Sequence, residues 1–185
     1  RYDFRRQDFL ESREPSWSPD GNRIAFTSRD CSFCRLDIYV ANLTPDPLNP
    51  LGPPLSISYQ QLTNSGIAHN FNPDWSPIEQ PTTAQWIIYE TGERGLKGVN
   101  PSSGAIQWVP QFQDDHEPAW SPDNNYIVFR RNSGNTDNLF ILPITDRINM
   151  HTQATWYDYS ALLLNVSGQS NFGEYEELRP SWGVV

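Results

Sequence analysis

Apolar and polar positions along this chain fall into short runs of strand length. Three β-branched and aromatic runs stand out: Arg23-Ile24-Ala25-Phe26-Thr27-Ser28, Gln85-Trp86-Ile87-Ile88-Tyr89-Glu90 and Tyr126-Ile127-Val128-Phe129-Arg130. Such runs, bounded by Gly, Pro, Asn and Asp, are read as β-strands. A further strand is predicted after each, at 37–41, 96–99 and 138–142, and another at 56–63, 105–110 and 161–166.

Each of the three runs follows the same motif. Glu14-Pro15-Ser16-Trp17-Ser18-Pro19-Asp20-Gly21 returns as Asn72-Pro73-Asp74-Trp75-Ser76-Pro77 and as Glu117-Pro118-Ala119-Trp120-Ser121-Pro122-Asp123-Asn124. A shorter copy, Arg179-Pro180-Ser181-Trp182-Gly183, lies at the end. Pro-Asp-Gly and Pro-Asp-Asn are turn chemistry: Pro presets φ, Asp bonds nearby backbone, and Gly or Asn tolerates positive φ. Each repeat is therefore expected to open as a β-hairpin. The second copy replaces the tight turn with a longer loop over 77–84. Four antiparallel strands per repeat make one propeller blade. The Pro-rich stretch 44–54 and the stretch 146–160 supply the extra loop length beyond the ~40–45 residues of WD-type repeats.

Pro-x-Trp-Ser-Pro-Asp-Gly-x-x-Ile-Ala-Phe over 15–26, Asp-Ile-Tyr-Val over 37–40 and Gln-Leu-Thr over 61–63 resemble the TolB-type β-propeller repeat. Residues 118–129 match this pattern well and 73–77 in part. The resemblance implies an all-β propeller, commonly of six blades, with Pro-x-Trp-Ser on the innermost strand and Gln-Leu-Thr on or near the outermost. Blades are expected over 14–71, 72–116 and 117–178, with the next beginning at 179–185. Three blades do not close a ring, since propellers typically have four to eight. The expectation is a part of a larger propeller. Completion by other chains, including a two-fold pairing, is the second option.

Composition agrees. With 16 Pro and 11 Gly the chain is punctuated too often for long helices, while 7 Trp, 8 Tyr and 9 Phe suit pleated surfaces. A formal net charge of -9 argues against a nucleic-acid partner, which would call for clustered Lys and Arg. No apolar run is long enough to span a bilayer as a helix.

Candidate chemistry is sparse. Cys31-Ser32-Phe33-Cys34 lacks the second ligand pair of a structural zinc site and the helix N-terminus of a redox motif. It is read as a small disulfide across a loop or as two free thiols, and a disulfide implies an oxidising compartment. Trp17, Trp75, Trp120 and Trp182 recur once per repeat and are expected in the core between blades. Trp156, Tyr157 and Tyr159 lie in an insertion and are candidates for an exposed aromatic contact.

Two acidic clusters each precede a Pro-x-Trp: Asp114, Asp115, His116 and Glu117, and Glu174, Glu176 and their neighbours. At a propeller rim they could hold a cation, a basic peptide or a sugar, or simply be solvated. Asp115, Glu117 and Glu176 are the only carboxylates that suggest a glycosidase pair. No nucleophile elbow, phosphate loop or dinucleotide fingerprint is present, and no metal or cofactor is expected. The leading expectation is a non-catalytic scaffold that docks a protein partner outside the cytoplasm, in the periplasm, secreted or at the cell surface. The alternatives are the propeller domain of a prolyl-oligopeptidase-type hydrolase and a carbohydrate-binding propeller.

Overall fold

The computed structural model describes residues 11–77, 85–93, 95–109, 114–132, 137–143 and 164–165. These residues form three four-stranded antiparallel sheets, with no helix among them. The first holds β1 (Glu11–Trp17), β2 (Arg23–Arg29), β3 (Asp37–Thr44) and β4 (Ser56–Gln61) in that order. The second holds β5 (Asn70–Trp75), β6 (Ile87–Thr91), β7 (Gly95–Val99) and β8 (Ile106–Trp108). The third holds β9 (Asp115–Trp120), β10 (Tyr126–Asn132), β11 (Asp137–Pro143) and β12 (Leu164–Asn165). Each sheet is a meander, so its loops alternate between two rims. The first strands start at Glu11, Asn70 and Asp115, slightly ahead of the motif, and the motif's Trp ends each one.

The hairpin turn follows from Ser-Pro-Asp. Gly21 N–H donates to Ser18 O at 3.0 Å, and Ser18 Oγ donates to Asp20 Oδ1 and accepts from Arg23 N. Ser121, Asp123 and Tyr126 repeat these contacts in the third sheet. Gly21 and Asn124 occupy the left-handed backbone that closes each turn, at φ 69° and 62°. In the second sheet Ser76 Oγ accepts from Trp86 N instead.

Each innermost strand is also bulged just after the same position. Glu14, Asn72 and Glu117, each followed by Pro, have φ of 57°, 49° and 51°, and the strand register shifts beside each. A left-handed non-Gly residue is strained and persists only where its surroundings hold it. Here each is held by a partner on the second strand: Thr27 Oγ1 donates to Glu14, Asn72 Nδ2 donates to Glu90, and Arg130 pairs with Glu117.

The core lies between sheets. Trp75 packs with Ile87, Tyr89 and Val99 of its own sheet against Ala25, Ile38, Val40 and Leu62 of the preceding one. Trp120 packs with Ile127, Phe129 and Leu142 against Trp86, Ile88, Leu96 and Val109. Trp75 and Trp120 are 3% and 5% exposed, but Trp17 is 59% exposed, against the expectation of a core position. The cause is directional: Trp75 and Trp120 are each covered by the sheet before them, and among the described residues no sheet precedes β1. Trp182 lies outside the described residues.

Candidate functional site

The innermost strands β1, β5 and β9 lie side by side and are tied across their edges. Ser16 and Asp74 occupy the variable position of Pro-x-Trp. Ser16 Oγ accepts from Trp75 N at 3.0 Å and donates to Asp74 Oδ1 at 3.1 Å. Asp74 Oδ2 then accepts from Trp120 N at 2.6 Å. Three consecutive sheets are thus joined through one carboxylate. Burial pushes the Asp74 carboxyl up to about 6, against the opposing donors Trp120 N, Ser16 and Trp75 N.

The rim at which the inner strands begin carries the acidic cluster read from sequence. Asp115 is buried and bonded at both oxygens by Arg131, with Nε–Oδ1 at 2.6 Å and Nη2–Oδ2 at 2.9 Å. The Arg131 guanidinium also lies over Phe129 and Phe140. Burial pushes the Asp115 carboxyl up, opposed by Arg131. His116 Nδ1 meets Glu90 Oε1 of the preceding sheet at 2.9 Å, and this bond raises the His116 pKa. Burial raises the Glu90 carboxyl, but His116, Asn72 and Glu117 N together hold it below the usual range. Glu117 N–H donates to Glu90 Oε2. Asp114 is tied in through its backbone, its carbonyl accepting from Asn132 N. The cluster is therefore engaged with basic and amide groups of its own and the preceding sheet. Glu174, Glu176, Trp156, Tyr157 and Tyr159 lie outside the described residues.

A second node was not read from the sequence. Asp37, at the start of β3, accepts from Thr63 Oγ1 at 2.8 Å, Asn70 Nδ2 at 2.9 Å and Gln61 Nε2 at 3.1 Å. Thr63 Oγ1 in turn accepts from Ile38 N. The Asp-Ile-Tyr-Val and Gln-Leu-Thr motifs meet here, pinning the outer strand's exit to the next inner strand. Burial raises the Asp37 carboxyl against these donors. Both motifs were visible in the sequence, each once, at 37–40 and 61–63, and nothing in their spacing showed that they meet.

Cys31 and Cys34 form a disulfide across the β2–β3 loop, and Cys34 N–H donates to Cys31 O at 3.1 Å. The Asp30 carboxylate and the two sulfurs lie within 4.8 Å of one another. With both sulfurs in the disulfide, they are not available as thiolate ligands.

The fold these sheets define is that of a TolB-like β-propeller. Among solved structures, the chain is similar to a putative TolB from Agrobacterium tumefaciens, with a TM-score of 0.52 and 18% identity over 74% of this chain and 47% of that one. A TolB from Acinetobacter baumannii gives a TM-score of 0.40 and 16% identity, over 75% and 42%. In sequence the chain is 30% identical over 149 residues to an uncharacterized peptidase, YuxL, of Bacillus subtilis (strain 168). That similarity covers 68% of this chain and 22% of the relative, so the chain spans about a fifth of its length. No protein-family model matches. Among the described residues, no helix is long and apolar enough to cross a membrane.

Proposed function

We propose that this chain is a non-catalytic propeller module that docks a protein partner through its rim loops. The observation that carries this reading is apolar side chains held out on fixed turns. Leu48 and Leu51 are 94% and 99% exposed in the Pro-rich β3–β4 loop, and Phe33 is 99% exposed in the disulfide loop on the other rim. The Leu-bearing loop is not slack: Leu48 N–H donates to Asp46 Oδ1, Asn49 N–H to Asp46 O, and Gly52 N–H to Asn49 O. Apolar groups on pre-ordered backbone lose little further freedom on binding. Clustered exposed apolar groups are a mark of interaction surfaces.

The engaged state of Asp115, His116 and Glu117 supports moving the docking surface away from the acidic cluster and onto these turns. Blades over 14–71, 72–116 and 117–178, followed by a start at 179–185, remain our division of the chain. The disulfide supports an extracytoplasmic setting. Cross-linking in the producing cells tests the docking reading. A partner captured by the native chain and lost in a Leu48→Ser, Leu51→Ser double variant supports it. Equal capture by both overturns it.

The similarity to a protein named as a peptidase favours a second reading, the propeller domain of a larger hydrolase. Its test is peptide hydrolysis by the longer gene product with and without this segment. The carbohydrate reading rests on Trp156, Tyr157 and Tyr159, and a glycan array with a Trp156→Ala control tests it.

A further inference from the structure

We infer that Arg35 and His69 form a binding site for an oxyanion on the rim where the inner strands begin. The two residues come from the β2–β3 loop and the β4–β5 connection, which are fixed to each other. Asn70 N–H donates to Leu36 O at 2.8 Å, and Leu36 N–H donates to His69 Nδ1 at 3.0 Å. The other ring nitrogen, His69 Nε2, stands 3.2 Å from Arg35 Nη1.

These contacts do not balance. A guanidinium only donates, and a neutral imidazole has one donor and one acceptor nitrogen. Both His69 nitrogens face an N–H, so either tautomer leaves one donor facing another. Leu36 is 5% exposed and its N–H is directed at His69 Nδ1, whereas Arg35 is exposed. Leu36 therefore keeps Nδ1, and Nε2 carries the proton toward Arg35. Protonating the ring makes both nitrogens donors and worsens the mismatch. Consistent with this, burial first, and then Arg35, Arg29 and Arg13, lower the His69 pKa.

Two donors thus stand 3.2 Å apart with no acceptor between them among the described residues. An oxygen of a carboxylate or phosphate supplies the missing partner for both. The neighbouring cations are already occupied: Arg13 pairs with Glu11 and Glu14, and Arg29 with Glu11. Arg35 has no carboxylate partner among the described residues. The nearby Asp37 is taken up by Thr63, Asn70 and Gln61.

The donors are also held in place. The His69 ring stacks on Phe71 at 5.6 Å, Arg13 covers Phe71, and Gly92 N–H donates to His69 O. The Cys31–Cys34 disulfide closes the turn immediately before Arg35. This site is independent of the docking reading above.

The test is ring-nitrogen NMR on the intact chain, which has only 3 His to assign. Inorganic phosphate and, separately, acetate are titrated at constant ionic strength. The expected result is an Nε2–H tautomer for His69 in the free chain and a saturable shift of its resonances in the millimolar range. The His69 pKa rises when the anion is bound. Saturation by acetate marks a carboxylate as sufficient, and saturation by phosphate alone marks a phosphate-type ligand. Arg35→Gln weakens binding roughly tenfold or more, as expected for loss of a charged hydrogen bond. Arg35→Lys retains part of the binding, and Leu36 amide protection reports that the loop stays folded in both variants. An Nδ1–H tautomer, no saturable shift with either anion, or unchanged binding in folded Arg35→Gln overturns the assignment.

Discussion

Asp74 accepts the backbone N–H of Trp120 at 2.6 Å, so a carboxylate on one inner strand satisfies the main chain of the next. Its other oxygen takes the Ser16 hydroxyl from the strand before. A polar residue at the variable position of Pro-x-Trp is therefore a tie between neighbouring sheets.

The charge on Asp74 carries a pH signature. Its carboxyl is raised from 3.8 to about 6, so the folded chain holds this proton more tightly than the unfolded chain. Folding is then penalised once the group ionises: stability falls as pH rises through the window from about 4 to 6. The penalty has an upper bound of about 3 kcal/mol. Asp74→Asn keeps an acceptor for Trp120 N and removes the charge. Urea denaturation at pH 4 and pH 7 is expected to show the native chain losing stability relative to this variant across the interval. Asp74→Ala leaves the Trp120 N–H without an acceptor and costs about 1–3 kcal/mol at either pH.

Asp115 differs from Asp74 in having a cationic partner, Arg131, which bonds both of its carboxylate oxygens. Asp115→Ala strands the Arg131 guanidinium and is expected to cost about 3–5 kcal/mol. Replacing both, as Asp115→Leu with Arg131→Met, recovers much of that loss. Chemical denaturation of the two single variants and the double variant gives the coupling directly. Purely additive losses would show that the pair is not a structural unit.

The repeat tryptophans divide by position. Trp75→Ala and Trp120→Ala each open a cavity between sheets and are expected to cost about 3–5 kcal/mol. Trp17→Ala, from the same motif, is expected to cost under about 1 kcal/mol. Thermal denaturation of the three variants side by side checks the order. Equal losses would mean that Trp17 is also covered in solution.

The strands were legible because each is bounded by local chemistry. Ser18 to Gly21 and Ser121 to Asn124 specify their own turns within a few residues, and the runs after them are continuous apolar stretches of strand length, buried at successive positions. Trp17 misled for the same reason that Trp75 did not: a motif records what a residue is, while burial depends on the sheet beside it. The acidic cluster was visible, but its engagement was not. Asp115 finds Arg131 16 residues away and His116 finds Glu90 26 residues away. Asp37 gathers partners 24, 26 and 33 residues along the chain. Such pairings depend on strand register, which becomes fixed only after the turns have formed.

The one-way burial of the tryptophans also orders the molecule in time. Trp75 needs the wall built by Ala25, Ile38 and Val40, and Trp120 needs the wall built by Ile88 and Leu96. In both cases the wall is earlier in the chain than the ring it receives. On a ribosome, the receiving surface is synthesised before its tryptophan emerges. Each large aromatic therefore emerges after the preceding sheet that covers it, while the rest of its pocket follows it: Ile87, Tyr89 and Val99 for Trp75, and Ile127, Phe129 and Leu142 for Trp120.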